Sequence, residues 1–290
     1  VAPSGSGSRT VDSQRTTAIR TIAQHFEHRL FLTATPHNGY QHSFTALLEL
    51  IDDQRFARGM PLDQDQLGTI MVRRLKEEIT DPDGNPRFPP RRVLPIEVEY
   101  TTAERHIYER LTAYQQSRKK NAADEGKTNA TEFVLKLLKK RLFSSPEAFA
   151  STLDKHFQSL SRAPTRNSTT ERSSKMSLGI FDNALQDAEE DYSDDDKYEE
   201  ALDNALDTAA SLMSRLTEDE RALLDEMKVW AESARVQSDS KASALFRWLE
   251  SNIRPDGHWS DKRVIIFTEY RATQKWLIEQ LTNEGFGGTD

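Results

Sequence analysis

From about residue 130 to residue 255 the apolar pattern is helical throughout, and this fixes the character of the middle of the chain. Phe133, Leu137, Leu138 and Leu142 form one stripe. Ser144-Ser145-Pro146-Glu147 restarts a helix, with Pro at an early position where its missing N–H costs nothing. Thr217-Glu218-Asp219-Glu220 is a capping box that opens a helix running through Trp230. Leu245, Phe246, Trp248 and Leu249 mark a further helix. Two stretches interrupt the pattern. Ser159 to Ser177 is rich in Ser, Thr and Arg and reads as a mobile loop. Residues 182–207 hold 12 Asp/Glu against the single Lys197. Such a run repels itself, so it is expected to be solvated or partly disordered.

The two ends read differently. Ala18, Ile19, Ile22, Ala23 and Phe26 have helical spacing. Leu30-Phe31-Leu32 then runs into Thr33-Ala34-Thr35-Pro36, the pattern of a buried parallel strand stopped by a loop. Phe44, Leu47, Leu48 and Ile51 mark a second helix. Asp81 to Pro90 carries four prolines and a glycine and is a loop. Val93, Ile96 and Val98 are expected in a strand, followed by a capping box at Thr101-Thr102-Ala103-Glu104 and a helix with Ile107, Leu111 and Tyr114. Arg263-Val264-Ile265-Ile266-Phe267-Thr268 reads as a β-branched strand, with Trp276, Leu277 and Leu281 on the helix after it. The expected fold class is therefore α/β at both ends, with a large helical insertion between. The expected divisions are residues 1–98, 99–238 and 239–290.

Composition narrows the function classes. Charged residues make up 30% and hydrophobic ones 36%, and mean hydropathy is −0.73. No apolar run approaches 18 residues, so no membrane span is expected. Val1 to Arg9 has no apolar core of a signal peptide, and no initiator Met is present, so a fragment is expected. Cys is absent, which excludes disulfides, thiolate chemistry and Cys-based zinc sites and fits a reducing cytoplasm. The net charge of −8 is uneven. Residues 1–150 hold 22 Lys/Arg against 19 Asp/Glu, and residues 151–290 hold 17 against 28. A basic face for nucleic acid is therefore expected in the first half.

The string Leu30 to Gly39 (LFLTATPHNG) carries the most chemistry. At the carboxyl end of a strand, two hydroxyls flanking a small residue offer a loop that other groups approach closely. The string resembles motif III of superfamily 2 helicases. Met71-Val72-Arg73-Arg74-Leu75-Lys76 looks like the arginine-rich block after motif III in SNF2-like ATPases. Asp239-Ser240-Lys241 through Arg271 resembles the entry to a second RecA-like lobe, with motif IV at Arg263–Thr268. The segments Ala2–Gly5, Asp12–Arg15, Thr35–Tyr40, Leu47–Arg58 and Lys139–Phe149 look like the SNF2-like helicase of DISARM-type phage defence.

The resemblance implies parts of two RecA-like lobes and an ATP-dependent translocase on double-stranded DNA. It implies ATP and Mg²⁺ in the intact protein and other subunits of a defence complex as partners. It assigns coupling to Thr33, Ala34 and Thr35, and DNA contacts to His37, Asn38, Arg73, Arg74, Lys76, Thr268, Tyr270 and Arg271. The residues leave alternatives open. The threonines satisfy a strand end, the cations pair with Glu77 and Glu78, and Tyr270 packs in its loop. The family's phosphate loop, Asp-Glu-Ala-His box and motif VI find no counterpart. The only Gly-Lys-Thr, Gly126-Lys127-Thr128, lacks the earlier Gly, since Asn121 stands there. The chain alone is therefore not expected to hydrolyse ATP. Two other classes remain: a non-catalytic helical scaffold for a partner protein, and a degenerate RecA-like DNA-binding module.

Overall fold

Capping chemistry sets where the helices begin, and it does so as the residue patterns predict. Residues 14–37, 41–121, 125–162 and 195–287 are described by a computed structural model. Thr101 and Glu104 form the capping box, with Glu104 Oε2 accepting the Thr101 N–H at 2.7 Å and Thr101 Oγ1 accepting the Glu104 N–H at 3.2 Å. Thr217 and Glu220 repeat it at 3.0 and 3.2 Å. Ser145 Oγ accepts the Ala148 N–H at 3.1 Å, immediately before Pro146.

The chain divides after Leu94 into two units. The first contains α1 (Gln14–Ala23), α2 (Gln41–Ile51), α3 (Gln64–Ile70) and a single 3₁₀ turn, Lys76–Glu78. Its core is small. Phe44 and Leu48 of α2 meet Phe56, with Leu62, Leu67, Ile70 and Met71 packed against them. Gly59 is required beside this core: its φ is +79°, and a Cβ there would come within 2.9 Å of the His42 ring.

The second unit holds α4 (Thr102–Asn121), α5 (Glu125–Ser144), α6 (Pro146–Arg162), α7 (Asp195–Leu212), α8 (Glu218–Ala234), α9 (Ser240–Asn252) and α10 (Arg271–Asn283). α6 packs on α5, α7 and α8, and α4 closes the bundle against α5 and α8. The interior contains Leu111, Tyr114, Leu138, Phe149, Leu153, Leu206, Leu224 and Met227. Each fully buried large apolar side chain contributes about 1.5–3 kcal/mol. α9 and α10 enclose a second cluster of Phe246, Leu249, Ile253, Trp276 and Leu277. No helix among the described residues is long and apolar enough to cross a membrane.

Four expectations are corrected. The fold is helical, not α/β with RecA-like lobes, because the described residues contain no strand, only an isolated antiparallel bridge between Thr80 and Pro86. Leu30–Leu32, Val93–Val98 and Arg263–Thr268 are unpaired, and none forms the expected strand. A strand needs a neighbour about 4.8 Å away to take its main-chain hydrogen bonds, and no described segment makes such bonds to these. Their apolar side chains are consequently exposed: Leu30 at 83%, Leu32 at 87%, Ile265 at 78% and Phe267 at 89%.

Second, the helical stripe read through Phe26 stops earlier, since α1 ends at Ala23 and Ile22 and Phe26 are exposed. Third, the later part of the acidic run is helical. α7 buries Ala201, Leu202, Ala205 and Leu206. Its acids face cations and hydroxyls of neighbouring helices: Glu199 meets Arg141, Asp203 meets Lys155 at 2.5 Å, and Asp207 accepts from Ser159. Fourth, the loop expected from Ser159 to Ser177 starts later, because α6 continues through Ser159 to Arg162; residues 163–177 and 182–194 lie outside the described residues.

Candidate functional site

The residues assigned by resemblance fall in three places. Thr33, Ala34 and Thr35 lie in an exposed stretch between α1 and α2. Thr33 Oγ1 accepts the Thr35 N–H at 3.1 Å, a local turn that a threonine makes with its own chain. The His37 ring rests against Phe44, with centroids 5.4 Å apart, which ties the end of this stretch to the core of α2. Asn38 lies outside the described residues.

Arg73 and Arg74 are exposed on the non-helical segment after α3. Arg74 Nη1 donates to the Arg73 carbonyl at 3.4 Å. Neither guanidinium pairs with Glu77 or Glu78 or any other described acid. Glu78 instead accepts the Leu75 N–H at 2.9 Å. Lys76 Nζ stands 5.5 Å over the Phe88 ring. Arg91 and Arg92 are exposed as well, with no described acid as partner.

Thr268, Tyr270 and Arg271 sit at the entry to α10 in the second unit. Thr268 Oγ1 donates to the Tyr270 carbonyl at 2.9 Å. Tyr270 is only 2% exposed. The Arg141 guanidinium lies 3.7 Å from its ring centroid, and Glu199 holds Arg141 with two bonds of 2.7 and 3.1 Å. Burial and the neighbouring Glu269 push the Tyr270 hydroxyl up, so it stays protonated. One face of the ring is thus already covered by a cation. Arg271 heads α10 and borders a small cavity of about 170 Å³ with Tyr198, Glu199 and Gln274.

A larger groove of about 740 Å³ opens beside this cluster. Its floor is apolar, with Phe143, Leu245, Ile266, Trp276 and Leu277. Its rim carries Lys136, Lys139, Lys140 and Lys241 against Asp239 and Glu269. Lys140 Nζ meets Glu269 at 2.8 Å, and Lys139 stands 5.3 Å over the Tyr108 ring. Lys241 Nζ donates to the carbonyls of Phe143 and Ser144, the last of α5, where a cation offsets the helix dipole. Asp239 caps α9 by accepting the Ala242 N–H at 2.7 Å, and burial raises its carboxyl above the ordinary range. The helical spacing of Lys136, Lys139 and Lys140 shows in the sequence. Their convergence with Lys241, about a hundred residues on, depends on tertiary packing.

Gly126-Lys127-Thr128 lies in the first turns of α5. A phosphate cradle needs a loop whose main-chain N–H groups wrap the phosphates. No group of three or more His, Asp or Glu among the described residues can hold a metal ion. No step is therefore derived through ATP or Mg²⁺. No family model, no curated protein and no solved structure matches this chain.

Proposed function

We propose that this chain is a DNA-contacting part of an SNF2-like, ATP-dependent translocase on double-stranded DNA. It works in the cytoplasm beside other subunits of a prokaryotic defence complex. ATP and Mg²⁺ belong to the intact motor, and this chain alone carries no hydrolysis. The observation that carries the reading is the exposed arginine set Arg73, Arg74, Arg91 and Arg92, none of which pairs with a described acid. Free guanidiniums gain most from phosphate, because contact releases counterions without first breaking an ion pair. The motif resemblance at Thr33–Thr35 and Arg73–Lys76 supports the same reading, and nothing in it draws on a sheet. The test is fluorescence anisotropy of the full chain with duplex DNA. Arg73→Ala/Arg74→Ala is expected to weaken binding about tenfold at low salt while circular dichroism stays unchanged. Equal affinity in the variant overturns the reading.

A second reading, a helical scaffold for a partner protein, is favoured by the lysine-rimmed groove of the second unit. Its floor is apolar, and Lys140 is already committed to Glu269.

A further inference from the structure

The groove of the second unit does not end at its own floor. A smaller cavity of about 300 Å³ shares Phe143, Asp239 and Lys241 with it and continues to Tyr100, Tyr108 and Trp230. The two meet at Phe143, Asp239 and Lys241, and the second adds aromatic rings beside Glu104 and Arg105. Ile266 and Phe267 line the groove, and Val264 and Ile265 lead into them along the chain. No main-chain hydrogen bond joins these four residues to another described residue, so their N–H and C=O groups are open to a ligand. Their side chains alternate: Val264 and Ile266 are half-covered, whereas Ile265 and Phe267 stand out.

We infer that this groove binds an extended, acidic segment of a partner protein, laid as a strand along Val264–Phe267 with its carboxylates toward Lys136 and Lys139. The inference rests on the scaffold reading and is independent of DNA binding by the first unit. Three features select this ligand. An open backbone with alternating side chains pairs with another extended backbone. Lys136 has no partner among the described residues, and Lys139 only an aromatic face and a hydroxyl, so both have capacity for carboxylates. The apolar floor and the aromatic rings receive the uncharged side chains of an alternating peptide. Nucleic acid fits less well, because a phosphodiester chain carries a charge at every residue, whereas an alternating peptide sets uncharged side chains against the apolar floor and beside Asp239 and Glu269.

The probe is a fluorescein-labelled peptide of alternating Glu and Val with one Trp near its end, titrated with the full chain. Lys136→Glu/Lys139→Glu is expected to weaken binding about tenfold or more. Ile265→Pro, which removes one main-chain donor from an exposed position, is expected to weaken it about as much, with circular dichroism unchanged. Both variants should leave duplex DNA affinity as it was, whereas Arg73→Ala/Arg74→Ala should leave peptide affinity as it was. The two readings thus fail separately. Any of three results overturns the inference: no binding of the peptide, indifference to Ile265→Pro, or displacement of the peptide by duplex DNA in a lysine-dependent manner.

Discussion

Arg118 and Glu220 meet at 3.1 Å with almost no exposure, and the core tolerates them because both Glu220 oxygens are fully engaged, although Arg118 Nε is left buried without a partner. Glu220 also accepts from Ser117, Asn121 and the Thr217 N–H, and Arg118 donates to the carbonyls of Ser214 and Arg215. Burial pushes the Glu220 carboxyl up, but the Thr217 N–H, Arg118 and Ser117 outweigh it and hold it below its usual range. Replacing Arg118 alone by Leu strands a buried carboxylate and should cost about 3–5 kcal/mol in urea unfolding. Arg118→Leu/Glu220→Leu should cost less than that single change, and additive losses would refute the coupling. Tyr114 and His156 make a further buried polar pair, at 2.7 Å. Burial and nearby Arg118 hold the His156 imidazole down at about 3, against 6.5 when unfolded. The unfolded chain therefore takes up the proton first. Stability from this residue is complete above pH 6.5 and should fall by about 1.4 kcal/mol per pH unit below it, toward pH 3. Tyr114→Phe/His156→Phe should flatten the slope between pH 6.5 and 5, and an unchanged slope would contradict the assignment. Tyr114 is legible in the sequence as an apolar helical position. Its partner, 42 residues on, is not, because only the assembly of the bundle brings α4 and α6 together there.

At the scale of elements, what is legible is what is local. The capping boxes at Thr101 and Thr217 and the Ser-Pro restart at Ser145 complete their hydrogen bonds within four residues, so the pattern and the structure agree. The acidic run misleads because charge counted along the chain ignores what lies across from it. Asp203 and Glu199 are answered by Lys155 and Arg141 on other helices. Leu30–Leu32 and Arg263–Thr268 mislead for the opposite reason. Their composition favours a strand, but a strand exists only with a partner. Amides of Val264–Phe267 should therefore exchange with solvent deuterium rapidly, while those of Leu138 and Leu153 in the bundle interior stay protected. Protection at Val264–Phe267 would show main-chain pairing that the described residues do not contain.

Across the whole molecule, charge and shape divide the work between two units, each with its own core. The first presents guanidiniums that no described acid answers. The second pairs Arg118, Arg141, Lys155, Lys228 and Arg235 with its own carboxylates and opens a mixed groove. The candidate residues were legible one by one, as Thr33–Thr35, Arg73–Lys76 and Thr268–Arg271. Their surroundings were not: Arg141 over Tyr270, and Lys241 opposite Lys136, arise from contacts between distant helices. The most direct test of the DNA reading is the affinity of the full chain for duplex DNA as a function of salt. The account predicts that log K falls linearly with log salt, that Arg73→Ala/Arg74→Ala lowers the slope by about 2, and that adding nucleotide changes neither. An affinity independent of salt, or a slope the two arginines do not alter, would contradict it.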